Sequence, residues 1–96
     1  MSPTIAMIRN VVARYYGLPA IDMVSARRDY AAAHARQVGM YLARQLTRHS
    51  MPVIGREFGG RDHTTVMHGI RAVEKRMGDA QARADVAGLS ALLGAK

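Results

Sequence analysis

The chain holds 96 residues, 49% of them hydrophobic, which is room for one small domain with a modest core. It carries 14 Lys+Arg against 7 Asp+Glu, a formal net charge of +7, and no cysteine. That balance favours a polyanion, either nucleic acid or an anionic membrane surface, and the missing thiols exclude disulfides and Cys-based zinc sites. No apolar run approaches the roughly 20 residues of a membrane span. No basic segment followed by an apolar core and a cleavage site opens the chain, so a cytoplasmic location is expected.

In chain order, Ser2-Pro3 suits the start of a first helix, with Ser as N-cap and Pro at the first helical position. Ile5, Ile8, Val12 and Tyr15 then share one face, with Val11 and Tyr16 beside it. Gly17 and Pro19 stop that helix. A short second helix over Ala20 to Val24 would pack Ile21 and Val24 inward. Ser25 to Asp29 reads as a loop bearing two arginines, Arg27 and Arg28. A long helix follows from about Tyr30 to Thr47 or His49, with Ala31, Ala35, Val38, Leu42 and Leu46 as its buried stripe. Arg36, Gln37, Arg44 and Arg48 lie off that stripe. Arg44 and Arg48 are four apart and therefore neighbours, an arrangement that an anion between them would relieve.

Ser50 to Met77 reads as a helix-turn-helix. Ser50 can cap its first helix, and Pro52 falls in the first turn, where a missing N–H is harmless. Ile54 and Phe58 mark its buried face. Gly59-Gly60 supplies a sharp turn, and Asp62 is a good N-cap for the next helix. Val66, Ile70, Val73 and Met77 form one apolar stripe, leaving Arg61 to Thr65 outward. Such a helix presents its first residues to base edges in a major groove. Asp62 can accept from a cytosine amino group, and His63 can donate to a base acceptor. Thr64 offers a methyl to a thymine methyl, and Thr65 with the helix N-terminus can hold a phosphate. Arg61 suits phosphate or base duty. Gly78-Asp79 ends this helix and caps a last one, from about Ala80 to Leu93, that turns Val86, Leu89, Leu92 and Leu93 toward the core. Gly94-Ala95-Lys96 is expected to fray.

Other chemistries fit poorly. His63 and His68 are five apart, more than about 100° around a helix, whereas a zinc pair wants four-residue spacing and further ligands. Thr64, Thr65 and Ser50 lack a base and an orienting acid for nucleophilic catalysis. No phosphate-binding Gly-x-x-x-x-Gly-Lys-Ser/Thr loop occurs, so no ATP binding or hydrolysis is expected. An amphipathic membrane helix is disfavoured because the polar residues cluster at the turn and no Trp or Phe lines an exposed apolar face. The chain is read as no enzyme, with no cofactor and no metal.

The run Phe58-Gly59-Gly60-Arg61-Asp62-His63-Thr64-Thr65-Val66-Met67-His68 closely resembles the signature of the DNA-binding domain of the DnaA family, the bacterial chromosomal replication initiators. The likeness extends through Val12 to Tyr16, Ser25 to Arg28, Ala35-Arg36-Gln37, Tyr41 to Arg44 and Leu46 to Pro52. The resemblance implies that Arg28 enters a minor groove from its loop. It implies that Arg36, Gln37, Arg44 and Thr47 meet the DNA backbone, and that Met51 and Pro52 lie close to the sugar-phosphate and a thymine methyl. Arg27 reads rather as a packing or phosphate residue. Four positions depart from the family pattern. Gly69 stands for a small Ala or Ser, Ala72 for a charged residue, and Tyr30 and His34 where several members carry arginine.

The expected fold is therefore all-α, one domain over residues 1–96, with a helix-turn-helix at about 50–77, resembling the DnaA DNA-binding domain and, more distantly, Trp-repressor-like folds. The ligand implied is double-stranded DNA carrying a DnaA box similar to TTATNCACA, bound by a monomer in the nucleoid. Full-length DnaA or other replication proteins are further implied partners. Three roles stay open: a stand-alone box binder that competes with the initiator, a fragment of a full-length initiator, and a protein-interaction module that kept the fold without reading bases.

Overall fold

The computed structural model describes residues 2–94, and its described elements are all helical. Helix α1 spans Ile5–Tyr15, a 3-10 turn Ala20–Met23, α2 Tyr30–Leu46, α3 Met51–Glu57, α4 His63–Arg76 and α5 Ala80–Leu92. Helix α2 is the pillar, in contact with every other element, and its crossing with α4 is the most extensive.

Each α-helix starts on a side-chain cap, although the first differs from the sequence expectation. Thr4, not Ser2, caps α1, its hydroxyl accepting from the Met7 N–H at 3.1 Å. Pro3 therefore lies outside the helix. Asp29, Ser50, Asp62 and Asp79 cap the other four helices on the N–H groups of Ala32, Val53, Thr65 and Ala82. Helix α1 ends as expected at Gly17, whose φ of 68° suits a residue without Cβ. The Leu18 N–H reaches the Ala13 carbonyl at 2.8 Å, closing the last turn.

The core gathers Ile5, Ile8, Val12, Met23, Val38, Leu42, Ile54, Phe58, Val66, Val73 and Leu89. Five expectations are corrected at its margins. Tyr15 is 41% exposed, because its hydroxyl donates to Asp85 in α5 at 2.8 Å, and Ala13 takes the inward place. Ile21 faces solvent and Val24 is only partly buried. The 3-10 turn instead buries Met23, whose methyl lies beside Gly39 and Phe58, and Asp22, which receives two arginines. Ala31 is exposed and Ala32 is buried, since the first turn of α2 is rotated by one residue from the expected stripe. Leu92 is exposed, while Leu89 and Leu93, four apart, hold the inner face of α5. Arg36, expected off the buried stripe, is 5% exposed. Helix α2 meets neighbours on several sides, so its buried face is wider than one stripe. Ala95 and Lys96 lie outside the described residues.

Two consequences can be measured. A Cβ on Gly55 would stand 2.0 Å from the Arg61 carbonyl oxygen, whereas one on Gly78 would meet nothing within 4 Å. Gly55→Ala should therefore cost about 2 kcal/mol or more in urea unfolding, despite the roughly 1 kcal/mol that alanine gains in a helix. Gly78→Ala should stay within about 0.5 kcal/mol. Equal effects would contradict the close approach. The second concerns His34, packed edge-on to Tyr16. Burial, then the Arg76 charge, holds its imidazole below the ordinary value of 6.5, with Asp85 opposing. The unfolded chain then binds the proton more readily, so stability is lost as pH falls through about 6.5. The melting temperature should drop from neutrality toward about pH 5, and His34→Gln should flatten part of that drop. Parallel curves for both chains would assign the proton to another group.

Candidate nucleic-acid interface

The corner between α3 and α4 is built from five residues, Phe58 to Asp62. Phe58 is fully buried and ends α3. Gly59 and Gly60 follow with φ of 89° and 77°, both in the left-handed region, and turn the chain sharply. The Arg61 N–H then donates back to the Gly55 carbonyl at 2.9 Å. Asp62 opens α4, its Oδ1 accepting from the Thr65 N–H at 2.9 Å. That N–H, then the Thr65 hydroxyl, holds the Asp62 carboxyl below the usual carboxylate range. It is thus a carboxylate at neutral pH, with a second oxygen open to solvent.

Helix α4 exposes what its stripe does not bury. Val66, Gly69, Ile70 and Val73 face inward. Asp62, His63, Thr64 and Thr65 are all exposed at its start, so the residue types suited to base edges stand together. Two clefts flank this helix. One, of about 210 Å³ between α2 and α4, is lined by Arg36, Gln37, Met40, Arg61, Thr65 and His68. The other, of about 310 Å³, is lined by Arg44, Gln45, Met51, Met67, Arg71 and Glu74. Each brings cations to one side of α4, which suits two phosphate strands bordering a groove.

The remaining expected site residues divide by what they touch. Arg28 is exposed on its loop and, among the described residues, forms no ion pair. Arg44 is exposed and donates to the His49 carbonyl at 3.3 Å. The Thr47 hydroxyl donates to the Ala43 carbonyl at 2.6 Å and ends α2. Met51 is partly buried against the core and Pro52 is exposed in the first turn of α3. Gln37 accepts from Arg76 at 2.8 Å, linking α2 to the end of α4.

Arg36, buried, and Arg61, partly buried, bond to carbonyls of their own chain, while Arg27 stays exposed. Arg36 donates to the Asp22 carbonyl at 2.8 Å and to the Arg27 carbonyl. Arg61 donates to the Phe58 carbonyl and, at 2.7 Å, to the Ser25 carbonyl. Arg27 pairs with Asp29 at 2.7 Å and Asp22 at 3.3 Å. Burial lowers the pKa of both Arg36 and Arg61, and the Arg61 charge adds to the effect on Arg36. The two guanidiniums therefore sense each other across the first cleft and give it a positive field. His68 was absent from the expected site. It lies three residues after Thr65, on the same side of the helix, and it closes the run that carries the family resemblance.

The comparisons with known proteins agree with this fold. Residues 5–73 match the family described as the bacterial dnaA protein helix-turn-helix. The chain is 51% identical over 82 residues to the chromosomal replication initiator protein DnaA of Anaplasma marginale, covering 85% of this chain and 17% of that one. It is 50% identical over 91 residues to the same protein of Cereibacter sphaeroides, covering 94% of this chain and 20% of that one. A crystal structure of a DNA replication initiation factor superposes with a TM-score of 0.84 at 34% identity, over 93% of this chain and 27% of that one. The chain thus spans about a fifth of the relatives it matches, and it belongs to the bacterial DnaA helix-turn-helix family.

Proposed function

We propose that this chain binds double-stranded DNA at DnaA-box-like sites, one copy per box, and serves replication initiation or its regulation on the bacterial chromosome. One observation carries the reading: an Asp62-capped helix that exposes His63, Thr64 and Thr65 between two cation-lined clefts. The carboxylate of Asp62 accepts from a cytosine amino group, and His63 donates to an acceptor on the neighbouring base. The methyl of Thr64 packs on a thymine methyl. Thr65 and the α4 N-terminus seat a phosphate, helped by Gln37 and the field of Arg36 and Arg61. On the other flank Arg44 and Thr47 meet the opposite backbone, with Met51 and Pro52 against sugar and methyl groups. Arg28 reads a narrow minor groove beside the box.

The role is binding, with no bond made or broken by these residues. Full-length DnaA and other replication proteins are the partners this reading implies, since the similar initiators are several times longer.

Fluorescence anisotropy with a box duplex and a scrambled duplex of equal length, titrated across salt, tests the reading. With about five phosphate contacts, the logarithm of affinity should fall against the logarithm of salt with a slope of roughly −4 to −5. The box should stay preferred at moderate salt. His63→Ala should cost about 1–3 kcal/mol on the box alone. Arg44→Ala should weaken both duplexes and reduce the slope by about 1. Equal binding to both duplexes would rule out base reading by α4.

A further inference from the structure

We propose that Arg61 is a positioning residue: it locks the loop that carries Arg28 onto the helix-turn-helix corner, so that minor-groove and major-groove reading share one register. The inference rests on the reading of Arg28 as the minor-groove residue. It reassigns Arg61 from direct phosphate or base contact.

The loop between the 3-10 turn and α2 has no regular structure of its own, yet its main chain is held at successive points. Arg36 takes the carbonyls of Asp22 and Arg27. Arg61 takes the carbonyl of Ser25 and, with its other terminal nitrogen, that of Phe58 at the corner itself. Between them the Val24 carbonyl oxygen packs against Gly59, where a Cβ would stand only 2.2 Å away. The side chain of Arg27 is fixed by Asp22 and Asp29. Arg28 comes next in the chain and is exposed.

Arg61 is also the residue before Asp62, the cap of α4. One guanidinium therefore ties the origin of the recognition helix to the root of the minor-groove loop, 36 residues earlier in sequence. A lysine would hold the two carbonyls less firmly, because its ammonium on a flexible stem lacks the planar fork. An untethered loop would have to be ordered when DNA binds, which lowers affinity, and Arg28 would lose its fixed offset from α4.

The test compares the unmodified chain, Arg28→Ala, Arg61→Lys and the double variant. Each is titrated against the box duplex, against duplexes altered only at the minor-groove pairs, and against duplexes altered only at the pairs facing Asp62 and His63. Arg61→Lys should lose most of the minor-groove discrimination, by about fivefold or more, and keep the major-groove discrimination. Added to Arg28→Ala it should remove no further minor-groove discrimination. Amide exchange of Arg27 and Arg28 in the free protein should quicken in Arg61→Lys, while that of α4 stays unchanged.

If Arg61→Lys instead weakens all duplexes equally and spares the minor-groove discrimination, Arg61 is a phosphate contact and the proposal falls. If Arg28→Ala leaves minor-groove discrimination intact, the Arg28 reading falls and takes the coupling with it. Should Arg61→Lys fail to fold, the guanidinium resonances of Arg61 in the unmodified chain decide. They should be slow to exchange in the free protein and stay in place when the box is added, whereas a large shift on binding would overturn the proposal.

Discussion

The close return of the backbone at the α3–α4 corner is the constraint on which the rest depends. Gly55 lies inside α3, yet its carbonyl accepts from the Arg61 N–H and its α-carbon faces the Arg61 carbonyl. Any side chain there would push α4 away from α3. The corner is in turn seated on α2. The ring of Phe58 fills the place where Gly39 lacks a side chain, with a Cβ there only 2.8 Å from the ring. Three backbone surfaces thus meet through glycines and one aromatic ring. Interiors packed at crystal-like density transmit such placement rigidly. The direction of α4, and hence of Asp62 to Thr65, follows from contacts made on the far side of the helix.

The positive charge of the chain is divided between two tasks, and composition alone does not separate them. Arg27, Arg36 and Arg61 act on carbonyls and carboxylates of their own chain. Arg28, Arg44, Arg48, Arg71 and Lys75 are exposed. Taking a guanidinium out of water is costly unless its donors are satisfied. Backbone carbonyls satisfy those of Arg36 and Arg61, which are left with their charge. The same side chains that brace the loop therefore contribute to the field of the cleft beside α4. Bracing and phosphate attraction are compatible because carbonyl dipoles solvate a cation without neutralising it.

Much of this was legible in the sequence because the signals were local. The caps at Ser50, Asp62 and Asp79 precede the helices they open directly, and Gly59-Gly60 has one good use in that setting. The stripe of α4 follows a single face because α4 packs on one side only. Arg36 was not legible as a buried residue, because its partners are carbonyls, a group every residue carries and no pattern marks. The inward face of the 3-10 turn was hidden for a related reason. Met23 is drawn in by the gap beside Gly39, sixteen positions later in the chain. Tyr15 keeps an exposed place through Asp85, again a distant partner. Where a residue is fixed by a neighbour far along the chain, periodicity has nothing to report.

The departures from the family pattern lie outside the run from Arg61 to Thr65. Gly69 sits where α4 crosses α2, and a Cβ there would lie 3.3 Å from the Met40 sulfur and 3.4 Å from Gln37 Cγ. A flexible methionine can yield that distance, so an alanine would be accepted, and glycine mainly trades about 1 kcal/mol of helix propensity for closer packing. Tyr30 and His34 stand stacked at 5.8 Å and 18° at the start of α2. An aromatic pair there carries no fixed cation, and His34 is packed edge-on against Tyr16. Affinity at a given salt concentration is set by such flanking charges, while discrimination is set by the groups that touch base edges. Asp62, His63 and Thr64 keep the family's residues and their exposure. On the reading proposed above, these substitutions would act on how tightly DNA is held, and the choice of sequence would stay with the first turn of α4.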